Sequence, residues 1–303
     1  MGDIIVAGSL NMDLSVCTQL MPEIGETVSG YDFQMLPGGK GLNQAYAAAL
    51  LGSDVTMIGA VGEDEFGDSL IQFLKVGGIK TETIKKVKDI HTGSAIIVVY
   101  KGDNSIIIHE GANGSLSPED IGKHKAMFHN SKVFITQFEI PMETVREALK
   151  MAKENQVTTI LNPSPMKPLD EDILKMVDVL MINFSECRAI TGIEVSSLET
   201  AKTAIFCLVQ KGIRQIVITM GSDGVYFNDA NEICHLPARK VTAVDTTGAG
   251  DTFTGAFATC TAKGLGIRET LNYAITASAL TVTKRGAASS MPTGEEVERI
   301  LGI

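Results

Sequence analysis

Val244-Asp245-Thr246-Thr247-Gly248-Ala249-Gly250-Asp251-Thr252-Phe253-Thr254-Gly255 is the stretch on which the reading of this chain turns. Small polar residues and a Gly-Ala-Gly run lead into an apolar segment, Phe253 to Leu265, without proline. That pattern predicts a tight loop entering a helix. Its glycines leave backbone N–H groups unshielded at the helix N-terminus, where orphan donors and the helix dipole favour an anion. Asp251 stands in the first turn, beside that pocket. A phosphoryl-transfer site needs both parts: fixed donors for the charge on the moving group, and a carboxylate to take a hydroxyl proton. Taken alone, the same residues also describe a simple turn followed by a favourable first-turn acid. Two other glycine motifs are excluded. A dinucleotide fingerprint needs glycine where Phe253 stands and opens the first strand–helix unit. A Walker A loop needs Ser or Thr after Gly39-Lys40, where Gly41 stands.

Working upstream, strands and helices alternate. Lys132 to Thr136, Val157 to Leu161, Val177 to Ile182 and Gln215 to Thr219 read as strands. Met142 to Lys153 and Leu198 to Lys211 read as helices between them, the rhythm of parallel βαβ units with right-handed crossovers. Gly224 to Phe227 and Glu232 to Leu236, around Asn228-Asp229-Ala230-Asn231, read as an edge hairpin. Downstream, a helix from Ile267 to about Thr283 and a short one from Thr293 are expected.

At the other end, Asp3 to Gly8 is a near-continuous apolar run of the kind that fills a buried parallel strand. Asn11 and Asp13 follow its carboxyl end, the edge at which open α/β sheets bind ligands. Leu14 to Cys17 and Thr27 to Leu36 read as extended pieces with no helix between them, expected to pair outside the main sheet. Thr92 to Tyr100 and Ser105 to His109 form a predicted hairpin around Lys101-Gly102-Asp103-Asn104. A second glycine motif, Pro37-Gly38-Gly39-Lys40-Gly41-Leu42-Asn43-Gln44, leads into an alanine-rich helix, Ala45 to Leu51. Adjacent glycines admit a ligand close to the backbone, and Asn43 can reach a hydroxyl. Asp54 to Ala60 is a further strand and Phe66 to Val76 a further helix.

Composition narrows the function classes. A net charge of −10 argues against nucleic acid or an anionic membrane as the main partner. Met1-Gly2-Asp3 opens into a strand rather than a signal peptide, and core-like Ile5 and Val6 argue against myristoylation at Gly2. Five scattered cysteines lack Cys-x-x-Cys spacing, so reduced thiols in a cytoplasmic protein are expected, with neither disulfide nor zinc. The histidines, His91, His109, His124, His129 and His235, do not cluster at metal-ligand spacing.

The two glycine motifs together resemble the signature pair of the ribokinase (PfkB) sugar-kinase family. Gly8-Ser9-Leu10-Asn11-Met12-Asp13, Gly25-Glu26-Thr27-Val28, Gly111-Ala112-Asn113, Gln137-Phe138-Glu139, Leu161-Asn162-Pro163-Ser164-Pro165 and Thr219-Met220-Gly221-Ser222-Asp223-Gly224 are similar to its ribose-phosphorylating members, so the resemblance spans essentially the whole chain. It implies a single domain over residues 1–303, a three-layer α/β/α sandwich with a mostly parallel central sheet. A small β-sheet lid from about 14–36 and 92–109 would pair between subunits in a homodimer. It also implies transfer of the ATP γ-phosphate to the 5-hydroxyl of D-ribose. Asp251 would be the base, and the amides of Gly248, Ala249, Gly250 and Asp251 the anion hole. Asn11, Asp13, Gly39, Lys40, Asn43 and Glu139 would hold the sugar; Glu139 could otherwise cap the helix after Pro141. Asn183, Glu186, Thr219, Gly221, Gly224 and Gly250 would hold ATP, with Glu186 near Mg²⁺. Asn183 departs from the family in being preceded by Ile182 instead of proline. A K⁺ site is implied at Asp245, Thr247, Thr281, Lys284, Gly286 and Ser290, mostly through carbonyls. Siblings acting on deoxyribose, a nucleoside such as pseudouridine, or a hexose share these motifs. A catalytically dead sugar-binding regulator is the alternative from another class, and intact Asp251 argues against it.

Overall fold

Apolar runs bounded by glycine and polar residues become strands buried on both faces. The computed structural model describes residues 3–101, 103–230 and 232–303; Met1, Gly2 and the expected turn residues Gly102 and Asn231 lie outside the described residues. The first strands are β1 (Ile4–Ala7), β2 (Asn11–Thr18), β3 (Gly30–Gly38), β4 (Val55–Gly62), β5 (Ile84–Val87), β6 (Gly93–Tyr100) and β7 (Asp103–His109). β8 (Val133–Gln137), β9 (Thr158–Asn162), β10 (Val179–Asn183), β11 (Gln215–Thr219), β12 (Val225–Asp229) and β13 (Glu232–Leu236) follow.

Nine of these build one sheet in the order β13-β12-β11-β10-β9-β8-β1-β4-β5, parallel except for the β12–β13 hairpin at its edge. Side chains of a strand alternate between faces, and both faces are covered. Ile4 and Val6 pack among residues of the helices Lys40–Leu50, Ala249–Ala262 and Ile267–Thr281. Ile5 and Ala7 pack among residues of the helices Met142–Glu154 and Leu198–Gln210. This is the three-layer α/β/α sandwich that the family resemblance implied, with the parallel strands that the apolar runs predicted. From β1 the chain first builds outward through β4 and β5, then returns to add β8 on the opposite side. The order therefore reverses between β1 and β8, and the carboxyl ends of those two strands form the crevice where such sheets bind ligands.

Both glycine motifs start helices earlier than expected. The first runs from Lys40 rather than Ala45, because Gly39 serves as its N-cap at φ 90° without a side-chain cap. A Cβ on Gly39 would also lie 2.9 Å from the Asn11 nitrogen, so close backbone approach and positive φ together demand glycine here. The second runs from Ala249, with Gly248 as a left-handed N-cap at φ 75°. The two helices then touch: a Cβ on Gly255 would lie 2.7 Å from the Ala47 Cβ and 2.8 Å from the Gln44 carbonyl oxygen. The small residues thus bring the two motifs side by side although some 200 positions separate them.

The extended pieces outside the main sheet form a four-stranded sheet, β3-β2-β6-β7. β2 and β7 extend beyond the expected pieces, β3 is shifted two to three residues toward the C-terminus, and β6 starts one residue later. Cross-strand register sets Met35, Leu14, Ile96 and Ile107 side by side on one face. Asp13, one residue from Leu14, belongs to the other face. Elements without a sequence expectation include the four-residue strand β5 and the short helices Pro118–Gly122, Lys125–Phe128, Glu171–Leu174 and Phe184–Thr191. Among the described residues, no helix is long and apolar enough to cross a membrane.

Candidate active site

Asp251 lies in the first turn of the Ala249–Ala262 helix and is nearly buried, at 8% exposure. Its Oδ2 accepts from the Asn43 Nδ2 at 3.1 Å and its Oδ1 from the Gln44 Nε2 at 3.0 Å. Each oxygen keeps a lone pair free of any recorded protein donor. Around it the helix start is open. The Thr252 N–H makes the first intrahelical bond, to the Gly248 carbonyl at 2.8 Å, and the Ala249 N–H turns back to the Thr246 carbonyl at 3.3 Å. Among the described residues the N–H groups of Gly250 and Asp251 have no acceptor. Nothing stands within 4 Å of where a Gly250 Cβ would be. Of the four expected anion-hole amides, Ala249 is thus the one already engaged.

The sugar-binding candidates gather at the reversal point of the sheet. Glu139, just beyond β8, does not cap the helix after Pro141, whose N-cap carries no side-chain bond. Its Oε2 instead accepts from the Lys40 backbone N–H at 3.0 Å and from the Ser9 hydroxyl, tying the end of β8 to the first glycine motif and to the end of β1. Asn11 is buried, and its Oδ1 accepts from the Asn113 Nδ2 at 2.7 Å. Among the described residues the buried Asn43 Oδ1 has no partner. Burial, then the charges of Glu139 and Asp251, pushes the Asp13 carboxyl up to about 7. Burial works against the charge of Lys40, but the carboxylates of Asp251, Glu139 and Glu186 outweigh it and hold the ammonium above its usual pKa. One lysine thus stands among several acids.

The nucleotide candidates lie at the ends of β10 and β11. Asn183 and Glu186 form a reciprocal capping box on the helix Phe184–Thr191: the Asn183 Oδ1 accepts from the Glu186 N–H at 2.8 Å, and the Glu186 Oε2 from the Asn183 N–H at 2.9 Å. That spends the Asn183 oxygen on the fold and leaves its NH₂ group without a protein acceptor among the described residues. Thr219 ends β11; Gly221, at φ 58°, opens the next turn, and Gly224, at φ 97°, closes it under the Leu236 carbonyl. Among the described residues no group of three or more His, Cys, Asp or Glu could hold a metal. Glu186 alone fits Mg²⁺ as that ion usually binds with nucleotides, through one carboxylate and substrate phosphates.

Asp245 joins the two loops of the implied K⁺ site. Its Oδ1 accepts from the Thr247 N–H (2.9 Å) and hydroxyl (2.7 Å), and its Oδ2 from the Gly286 N–H (2.9 Å). Burial opposes its charge, yet these bonds prevail and hold its carboxyl below the usual value. The side chains of Thr281, Lys284 and Ser290 are engaged elsewhere, with Thr252, Glu296 and the Ala287 carbonyl. As donors the Thr281 and Ser290 hydroxyls keep lone pairs. With the Asp245 carboxylate and main-chain carbonyls they offer oxygens of the kind a large monovalent cation accepts, whereas the Lys284 ammonium cannot.

A family model described as pfkB family carbohydrate kinase matches residues 1–294. The chain belongs to that family. A ribokinase from Lactococcus lactis is 39% identical over 299 residues, covering 98% of this chain and 96% of its own length. A deoxyribokinase from Salmonella typhi is 37% identical over 303 residues, covering 99% of each. The structure of an Arabidopsis thaliana ribokinase complexed with ribose and ATP superposes with a TM-score of 0.93 at 32% identity, covering 100% of this chain and 99% of the other.

Within this family site, reading the sequence gave no role to Ser9, Gln44, Asn113, Gln137 or Asn162. All five are polar residues inside quoted motifs; Ser9, Gln44, Asn113 and Gln137 are buried, which the fold decides and their neighbours in sequence do not reveal. Asn113 brackets Leu10, taking its N–H at 2.9 Å and giving to its carbonyl at 3.2 Å, at the point where the chain leaves the large sheet for the small one.

Proposed function

We propose that the protein is a ribokinase, transferring the γ-phosphate of ATP to the 5-hydroxyl of D-ribose. The observation that carries the reading is the pairing of the Asp251 carboxylate with the unbonded Gly250 and Asp251 amides, in a crevice shared with Asn11, Asp13, Lys40, Asn43 and Glu139. The hydroxyl oxygen attacks the γ-phosphorus in line, the bond to the β,γ-bridging oxygen breaks, and Asp251 takes the proton late in a loose transition state. The amides of Gly250 and Asp251 stabilise the transferring charge. Asp13 and Glu139 accept from sugar hydroxyls, and the orphaned Asn43 Oδ1 requires a donor that a hydroxyl supplies. Asn183, Thr219, Gly221 and Gly224 hold ATP. Mg²⁺ beside Glu186 supplies charge neutralisation on the phosphates when bound. K⁺ at the Asp245 and Gly286 loops fixes the backbone that forms the anion hole.

The test is ADP release against D-ribose, 2-deoxyribose, pseudouridine and fructose, in K⁺ and in Na⁺, with the product identified by phosphorus NMR. D-ribose is expected to exceed every other acceptor by at least about tenfold in kcat/KM, a difference of about 1.4 kcal/mol, with D-ribose 5-phosphate as product and faster turnover in K⁺. A better rate on 2-deoxyribose would favour the activity named for the Salmonella relative. No ADP release with any of the four acceptors would favour the sugar-binding regulator.

The small sheet acts as a lid over the sugar in this account, with Asp13 on its inner face. Met35, Ile96 and Ile107 on the other face are 57%, 46% and 68% exposed, an apolar row suited to a second copy of the chain. The protein is expected to sediment as a dimer at micromolar concentration and Ile107→Glu as a monomer; a wild-type monomer would remove the lid-paired dimer. A cytoplasmic location agrees with free thiols and an ATP-dependent reaction.

A further inference from the structure

Behind Asp251 runs a chain of amides, two of them buried and Asn162 half-buried, whose direction is fixed at one end. The Met181 main-chain carbonyl can only accept, and it takes the Asn162 Nδ2 at 3.0 Å. Asn162 must therefore present its oxygen to Gln44, whose Nε2 donates to it at 3.2 Å. The same Nε2 carries a second hydrogen, aimed at the Asp251 Oδ1 at 3.0 Å. The Gln44 oxygen, now facing away, accepts from the Gln137 Nε2 at 2.6 Å. Gln44 and Gln137 are fully buried. Amides at such depth are costly unless they are hydrogen-bonded. Among the described residues the Gln137 Oε1 has no partner, whereas both groups of the Gln44 amide are bonded and its donor ends on the carboxylate.

We propose that Gln44 is a positioning residue for Asp251, aimed by Asn162 and Gln137, and that this relay sets the plane of the carboxylate; the inference rests on the reading of Asp251 as the base. A carboxylate rotates about a broad, two-fold torsion. One donor, from Asn43, would leave that torsion loose. A second donor on the other oxygen, from a residue that cannot itself turn over, fixes the plane in which the free lone pairs meet the incoming hydroxyl. Misplacement of a reacting group by about 1 Å costs on the order of 10²-fold in rate.

The test compares Gln44→Met, which keeps the length of the side chain but loses both donor and acceptor, with Gln44→Leu, which loses length as well. In each, kcat is expected to fall roughly 10–100-fold, with KM for ribose and ATP within about threefold. In an Asp251→Asn background neither substitution should reduce the residual rate further. Asn162→Leu should lower kcat about 3–10-fold and add little to Gln44→Leu, because it acts through Gln44. The positioning role is overturned if Asp251→Asn is inactive while both Gln44 variants keep kcat within threefold. It is equally overturned if they cost the same factor with and without the Asp251 carboxylate, the mark of a general packing effect that thermal unfolding would register too. Turnover by Asp251→Asn within tenfold of wild type would instead remove the base assignment itself, and the positioning role with it.

Discussion

Asp251→Asn is expected to lower kcat by roughly 10³–10⁴-fold while leaving the KM for ribose within about threefold. The replacement keeps shape and volume but cannot take the hydroxyl proton. It also turns an acceptor pair into one acceptor and one donor. Asn43 and Gln44 both present NH₂ groups to this side chain, so one of the two bonds is lost whichever way the new amide turns. That mismatch costs about 1–3 kcal/mol of stability, visible as a lower melting temperature and separable from the rate loss by assay well below it. Because Gly250 and Asp251 still offer their backbone N–H groups, a residual rate above the uncatalysed reaction is expected. A variant within tenfold of wild type would remove Asp251 as the base.

Asp13→Asn is expected to raise the KM for ribose about 100-fold and, unlike the first substitution, to stabilise the ligand-free protein above neutral pH. Loss of a charged acceptor for sugar hydroxyls is worth about 1.5–3 kcal/mol. The stability gain follows from linkage. The folded carboxyl titrates near 7, above its ordinary 3.8. The folded state therefore binds more protons than the unfolded chain across that window. The contribution to stability is fully present below the ordinary value and is lost as pH rises through about 7. At pH 8 the wild type carries an ionised group that burial, Glu139 and Asp251 all oppose. Removing it should recover roughly 1–2 kcal/mol after allowance for solvent screening. At pH 4 the two proteins should unfold alike. For the same reason, wild-type affinity for ribose should improve as pH rises through 7, when Asp13 becomes a full acceptor. Thermal unfolding at pH 4 and 8, with ribose titrations at pH 6 and 8, checks both. Equal melting temperatures at pH 8 with unchanged KM would remove Asp13 from the site.

The sandwich was legible because its strands are apolar on both faces. Asp3 to Gly8 and Gln215 to Thr219 need no tertiary information to read as buried parallel strands. β5 was not legible: Ile84-Lys85-Lys86-Val87 is a short outer strand with two lysines at its centre, too polar and too brief for a periodic signal. The start of the first helix was missed for a different reason. Its N-cap is Gly39 at positive φ, without the Ser, Thr, Asp or Asn that marks most helix beginnings. The helix Phe184–Thr191 does carry such a signal, Asn183 with Glu186 three residues on, and reading both as ligand contacts hid it. In the site, Asp251, Asn43 and Glu139 stood out through the motifs around them. Gln44 did not, because what it does depends on partners 207 and 118 positions away, Asp251 and Asn162. Gly255 is the local residue that brings them into range, and nothing in its immediate neighbours says so.

The central claim is geometric: one late helix start receives the γ-phosphate while its first-turn acid meets the sugar. A crystal structure with D-ribose, Mg²⁺ and a non-hydrolysable ATP analogue tests it most directly. The account predicts the ribose 5-hydroxyl within about 3.2 Å of an Asp251 carboxylate oxygen. It also predicts the γ-phosphate on the Gly250 and Asp251 amides, in line with that hydroxyl. A sugar bound with its 5-hydroxyl turned away from Asp251, or a γ-phosphate seated away from the Gly248–Asp251 turn, would contradict it.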